Sequence, residues 1–163
     1  MRNHNDLCSA IRRRADAAAF LTGNAMHTNL NGMVLFYQLG DGVVVRAEIT
    51  GLPRSSQLCK KPIFAFHIHN GNSCTGTKAD AFANASGHYN PEDCPHPYHA
   101  GDLPPLFSVN GRAFSIFFTD RFSVSEILGK AIIIHAFIDD FSTQPSGNAG
   151  EKIACGIINP TAR

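Results

Sequence analysis

The stretch GMVLFYQL-GDG-VVVRAEIT, Gly32 to Thr50, decides the fold class. Two runs rich in β-branched, aromatic and large apolar residues flank an Asp41-Gly42 pair, the dipeptide that tight hairpin turns favour. Gly51-Leu52-Pro53 then breaks the second run. Working outward, similar runs recur at Ala17 to Thr22, Ile63 to His69, Arg112 to Thr119, Ala131 to Ala136 and Ile153 to Ile158. A helical period is visible only in a short, frayed form at 8–19, and no 3.6-residue pattern exceeds about ten residues. The expectation is an all-β chain, folded as a sandwich or a closed barrel.

The bulk composition narrows the function classes. With 163 residues, 44% of them hydrophobic, the chain suits one domain with a single core. We place that domain at 17–163, behind a polar lead-in at 1–16 that is expected to be mobile. The net charge is +1. No stripe of Lys and Arg could track a phosphate backbone, so no nucleic-acid partner is expected. Arg12-Arg13-Arg14 reads as a solvated terminus. No apolar run approaches the roughly 20 residues of a membrane span. Ala17 to Leu21 falls short of the roughly 7–15 residues of a secretory h-region, so a cytoplasmic protein is expected, or an exported one whose leader has been removed. Five cysteines, Cys8, Cys59, Cys74, Cys94 and Cys155, cannot all pair within one chain, which fits a reducing compartment with one protected disulfide.

Two connections break the strand rhythm, residues 70–110 and 137–151. Loops this long inside a β domain need something to order them, and they are commonly functional. Histidine supplies the candidate. Six of the eight, His67, His69, His88, His96, His99 and His135, fall in or beside these segments. Side chains alternate along a strand, so Phe64, Phe66 and Ile68 share the core face while His67 and His69 share the outer one. His135 lies on the face opposite Ile132 and Ile134. Three imidazoles and Asp102 would make a tetrahedral set that suits zinc. Four imidazoles with an open direction suit copper. Six histidines for seven imidazole positions require one ring to serve both ions, and His88 is the natural bridge.

Taken together, these residues resemble the copper–zinc superoxide dismutase family, in a bacterial-type form. The resemblance runs from about Ala17 to Ile158. It is carried by Phe66-His67-Ile68-His69, Gly87-His88-Tyr89-Asn90-Pro91, His99-Ala100-Gly101-Asp102-Leu103-Pro104, Ile134-His135, Asp139-Asp140 and Gly147-Asn148-Ala149-Gly150 leading into Ile153-Ala154-Cys155-Gly156. It implies an eight-stranded Greek-key barrel with two long functional loops. It also implies copper on His67, His69, His88 and His135, and zinc on His88, His96, His99 and Asp102. Asp139 would receive an N–H from one ligand of each ion and fix both tautomers. Cys74 and Cys155 would form the family's disulfide, contributing about 3–4 kcal/mol in the chain-entropy model. The implied substrate is the superoxide anion. One superoxide is oxidised to dioxygen as Cu(II) is reduced, and a second becomes hydrogen peroxide with protons from His88 and solvent.

The chain departs from the family pattern in places. Lys152 stands where the family has an arginine that guides the anion, keeping the charge but losing the planar fork. Both loops are shorter than usual, and Pro95 and Pro97 limit the backbone at His96. Asn70 follows His69 where an acidic residue is common. Cys59 and Cys94 could form a second disulfide, or Cys94 could compete for zinc, while Cys8 is expected to be a free thiol. The alternative function is a non-catalytic copper- or zinc-binding protein on the same barrel. A homodimer is compatible with the sequence but not dictated by it.

Overall fold

The computed structural model describes residues 5–57, 59 and 62–162. In chain order its elements are α1 (Asn5–Ala10), β1 (Ala17–Gly23), β2 (Asn31–Leu39), β3 (Gly42–Thr50), β4 (Ile63–Phe64), β5 (Phe66–His69), β6 (Leu106–Phe107), β7 (Arg112–Thr119), α2 (Val124–Ile127), β8 (Ala131–His135), β9 (Lys152–Ile157) and β10 (Asn159–Pro160). The Asp41-Gly42 hairpin forms as the sequence expects, pairing Leu39 with Gly42 and running to Asn31 opposite Thr50. It seeds a curled antiparallel sheet of eight strands in the order β5-β8-β9-β1-β2-β3-β7, with β10 also on β1. From β3 the chain crosses to β5, returns to β7 beside β3, and crosses again to β8 beside β5. These are Greek-key connections. A second, two-stranded sheet of β4 and β6 lies between the ends, because β4 leads into β5 and β6 into β7.

Alternation builds the core. Val34 and Phe36 of β2, Val43, Val45, Ala47 and Ile49 of β3, Phe66 and Ile68 of β5, and Ile132 and Ile134 of β8 all bury into one apolar cluster. Each large side chain so buried stabilises the fold by about 1.5–3 kcal/mol. β8 is buried along its whole length. Its outward residues Ala131 and Ile133 are covered by Phe82, Ala85 and Cys155, with Cys74 packed beside them. The 70–110 loop therefore lies over the sheet as a second layer, and it turns the outer face of β5 and β8 into an interior.

Two expectations are corrected. The run Ile63 to His69 is not one strand: Ala65 donates its N–H to Phe137 O (2.8 Å) and accepts from His135 N–H (3.0 Å), which breaks the ladder between β4 and β5. The helix expected in the lead-in is placed differently, and the described residues around it pack on the sheet. It is Asn5–Ala10 rather than 8–19, and Ala10 and Ala15 bury against Tyr37 and Val44 on the outer face of β2 and β3. Arg13 is tied as well, with Nη2 donating to Asp16 Oδ2 (2.7 Å) and to Gln38 O (2.8 Å). Among the described residues no helix is long and apolar enough to cross a membrane.

Candidate metal centre

The open edge of β5 positions the centre. The long loop comes back along that edge and completes its hydrogen bonds. Asn70 N–H donates to Gly87 O (2.8 Å), Tyr89 N–H to Ile68 O (2.8 Å), Ile68 N–H to Gly101 O (2.9 Å) and Gly101 N–H to Tyr89 O (2.8 Å). His69 thereby sits opposite His88, and His67 opposite Asp102. Gly101 is needed for this approach, since a Cβ there would stand 2.2 Å from Ile68 O. A register shift between Ile134 and His135 then sets His135 across from Lys152.

Six histidines and one aspartate converge as the sequence expects. His67, His69, His88 and His135 form one group and His88, His96, His99 and Asp102 the other, each offering ligand atoms within 4.8 Å of one another. Hydrogen bonds on the far sides of the rings fix the tautomers. His67 Nε2 donates to Asp139 Oδ2 (2.7 Å) and His96 Nε2 to Asp139 Oδ1 (2.8 Å). His69 Nδ1 donates to Ser86 O (2.7 Å) and His135 Nδ1 to Gly150 O (3.1 Å). A neutral imidazole that has spent its proton this way turns a lone pair inward.

The inward atoms are the test of fit. His67 Nδ1, His88 Nε2 and His96 Nδ1 are buried without a hydrogen-bond partner. His69 Nε2 and His135 Nε2 face one another at 3.2 Å, although both protons are already used on carbonyls. Two lone pairs held together in this way repel unless a cation lies between them. On the other side, His88 Nδ1 lies 2.7 Å from Asp102 Oδ1, and His96 Nδ1 and His99 Nδ1 lie 3.0 and 3.3 Å from Asp102 Oδ2. Buried orphan nitrogens are costly in a folded protein, and metal ions are what such sets accommodate. The residues fit copper on the four-imidazole side and zinc on the N3O side.

Burial also favours the neutral form of four of the rings, those of His67, His69, His99 and His135. It pushes the His67 and His99 pKa values down, that of His69 well down, and that of His135 to about 3. For Asp139 burial opposes the charge, but the His67 N–H, the Phe141 N–H and the His96 N–H outweigh it, holding the carboxyl far below its ordinary range. Asp102 behaves alike: burial raises its pKa, the hydrogen bond to His88 and the charges around it lower it, and the net shift is down.

A cavity of about 670 Å³ opens over His69, His88 and His135, lined also by Lys78, Asp80, Glu151 and Lys152. Lys152 does reach this mouth, but its Nζ is bound to Asp80 Oδ2 at 2.5 Å. Burial disfavours the Asp80 carboxylate, yet the Lys152 and Phe82 hydrogen bonds lower its pKa overall, so it is charged at neutral pH.

The disulfide joins Cys74 to Cys155, with Cα atoms 5.6 Å apart. A second bridge does not form: Cys59 is an exposed free thiol, Cys94 a half-buried one, and Cys8 is free and exposed. Cys94 is held in a turn of its own, where Asn90 Oδ1 accepts its N–H (3.0 Å) and Asn90 Nδ2 donates to its carbonyl (2.8 Å). Nor does its sulfur belong to either ligand group. Three contributors escape sequence reasoning. Arg121 Nη1 points at the carbonyls of Pro97, His99 and Asp102 at 3.1–3.2 Å, clasping the zinc-side turn. Gly147 packs on Asp139, and Asp80 meets Lys152. Arg121 and Asp80 act across long sequence separations and carry no local motif, while Gly147, eight residues from Asp139, lies in the Gly147-Asn148-Ala149-Gly150 run, and only the fold shows its contact with that carboxylate.

The comparisons with known proteins agree with this centre. The family model described as copper/zinc superoxide dismutase matches residues 30–158. The chain is 32% identical over 157 residues to "Superoxide dismutase [Cu-Zn] 2" of Aquifex aeolicus, covering 85% of this chain and 86% of that one. It is 39% identical over 131 residues to "Superoxide dismutase [Cu-Zn]" of Photobacterium leiognathi, covering 72% of each. A crystal structure of a double mutant of a SOD-like protein from Bacillus subtilis superposes with a TM-score of 0.70 at 29% identity, covering 86% of this chain and 95% of that one.

Proposed function

This chain belongs to the copper/zinc superoxide dismutase family, and from that premise we propose the part each of its residues plays. The protein is a superoxide dismutase: two superoxide anions and two protons become dioxygen and hydrogen peroxide. Copper, when bound, supplies the alternating one-electron reduction and oxidation, and zinc a fixed charge without redox change.

His67, His69, His88 and His135 hold the copper, and His88, His96, His99 and Asp102 the zinc. His88 has the pivotal task. With Nδ1 committed to the Asp102 side, its Nε2 is the position that takes up a proton in one half of the cycle and gives it back in the other. The second proton enters from solvent through the cavity. Asp139, bonded to His67 and His96 at once, makes the orientation of one group depend on that of the other. Lys152 at the cavity mouth draws in the anion.

The observation that carries this reading is the shared ring: one imidazole common to both ligand sets, in a core where the inward nitrogens His67 Nδ1, His88 Nε2 and His96 Nδ1 lack hydrogen-bond partners. The test is metal analysis of the purified protein, followed by superoxide dismutation before and after copper loading, with His135→Ala as control. About one copper and one zinc per chain are expected, with activity that rises on loading and disappears in the variant. Zinc alone, with no activity after loading, would instead mean a metal-binding relative.

A further inference from the structure

The rim of the cavity is built against the anion it should attract. Lys78 and Lys152 provide two positive charges, and Asp80 and Glu151 two negative ones, so the charged side chains lining the mouth sum to zero. Lys152 is also spoken for by Asp80. The placement of Asp80 is no accident of a loose side chain. Its Oδ1 accepts the Phe82 N–H (3.1 Å), its carbonyl accepts from Thr77 N–H (2.8 Å) and Ala83 N–H (3.2 Å), and its own N–H donates to Thr77 Oγ1 (3.1 Å). Phe82 is buried against Ala131 and Ile133, and the Cys74–Cys155 bridge anchors the same segment to β9. The loop thus delivers one carboxylate oxygen, Oδ2, to the ammonium of Lys152.

We propose that Asp80 is a positioning residue that restrains small anions from reaching the copper-facing nitrogens, by occupying Lys152 and by adding its own negative charge to the rim. A cation paired with a carboxylate presents less field and fewer free N–H donors than a free one. Rim charges act on the rate of encounter and on its salt dependence. The inference rests on the superoxide reading of the site, and it concerns the pair Asp80–Lys152 rather than the ligands.

The experiment compares metal-loaded wild type, Asp80→Asn, Asp80→Glu, Lys152→Met and the Asp80→Asn/Lys152→Met double variant. It follows kcat/KM for superoxide against ionic strength, and azide affinity from the visible absorption of the copper. Asp80→Asn is expected to raise kcat/KM about threefold and to tighten azide binding similarly, with both gains fading as salt screens the rim. Asp80→Glu stays near wild type, Lys152→Met falls below it, and in the Lys152→Met background the Asn substitution keeps only the part of its benefit that comes from removing Asp80's own charge. Should Asp80→Asn lose metal, Asp80→Ser keeps an acceptor for the Phe82 N–H and is held to the same expectation. Unchanged or weaker azide binding and unchanged kcat/KM in a fully metallated Asp80→Asn overturn the inference. A wild type that does not dismutate superoxide, while Asp80→Asn still tightens azide, sustains the charge role and removes the enzyme reading instead.

Discussion

At the scale of single residues, the centre depends on groups that never face a metal. Asp139 is bonded through one oxygen to His67 and through the other to His96, so a neutral amide cannot replace it. Asparagine offers one acceptor and puts an N–H₂ against the second ring's N–H, and one of the two imidazoles must turn. We predict that Asp139→Asn weakens metal binding by about 10–100-fold, measured by competition with a chelator for each ion, with copper and zinc both affected. Gly147 makes the same point from the backbone. It sits at φ +67°, and a Cβ there would fall 1.9 Å from Asp139 Oδ1 and 2.7 Å from His96 Nε2. Gly147→Ala is therefore predicted to lower zinc affinity by about tenfold or more, because the displaced carboxylate no longer orients His96. Zinc affinity equal to that of the wild type would show that the carboxylate can move aside without loss.

At the scale of elements, the decisive feature is a loop that behaves as part of the sheet. It is stitched to the edge of β5 by backbone hydrogen bonds and bolted to β9 by a disulfide spanning 81 residues. A loop of that length contributes about 4 kcal/mol in the chain-entropy model. Cys74→Ser is predicted to lower the melting temperature by about 10 °C at the usual 2–4 °C per kcal/mol for a chain of this size, checked by calorimetry. Arg121→Ala should act on the other half of the loop, freeing the carbonyls of Pro97, His99 and Asp102 and weakening zinc retention about tenfold, with little effect on the copper-side ligands. Much of this was legible in the sequence, for reasons of period. Phe66-His67-Ile68-His69 alternates, so the two imidazoles had to share the face opposite the core. The run Ile132-Ile133-Ile134 did not alternate, and the reason is physical: the loop buries both faces of β8. What could not be read lies where tertiary contacts override local preference. Ala65 breaks its strand because Phe137 O takes its N–H. β6 and β10 are two residues each and exist only through their partners. Ala10 and Ala15 look like tail residues until Tyr37 and Val44 are placed beneath them. The partnership of Asp80 with Lys152 spans 72 positions and leaves no trace in either neighbourhood.

At the scale of the whole molecule, the ligands are divided between a rigid part and a conditional one. His67, His69 and His135 sit on β5 and β8, whose inner faces are packed into the main core. His88, His96, His99 and Asp102 lie on the returning loop, which is held by its edge bonds to β5, by the packing of Phe82 and Ala85, by the Arg121 clasp, by the disulfide and by what its ligands bind. Zinc and the Cys74–Cys155 bridge therefore order the same segment, and two constraints on one segment must be coupled. With the bridge closed, the loop has already lost part of its freedom, and zinc has less left to freeze. With zinc in place, the cysteines are held at bridging distance, and reduction gains less from releasing them. By reciprocity the two effects are equal in free energy. We predict that reducing the disulfide weakens zinc binding by about 5–150-fold, and that zinc shifts the thiol–disulfide equilibrium toward the bridge by the same factor. The first is measured by chelator competition on oxidised and reduced protein, the second by equilibration in a thiol buffer with and without zinc. Equal zinc affinity in the two redox states would mean that the edge bonds, the packing of Phe82 and Ala85 and the Arg121 clasp order the zinc ligands without help from the bridge. The rest of the sheet offers the internal control. Amide exchange in β1, β2 and β3, which carry no ligand, should remain slow when zinc is removed, while residues 86–102 exchange faster.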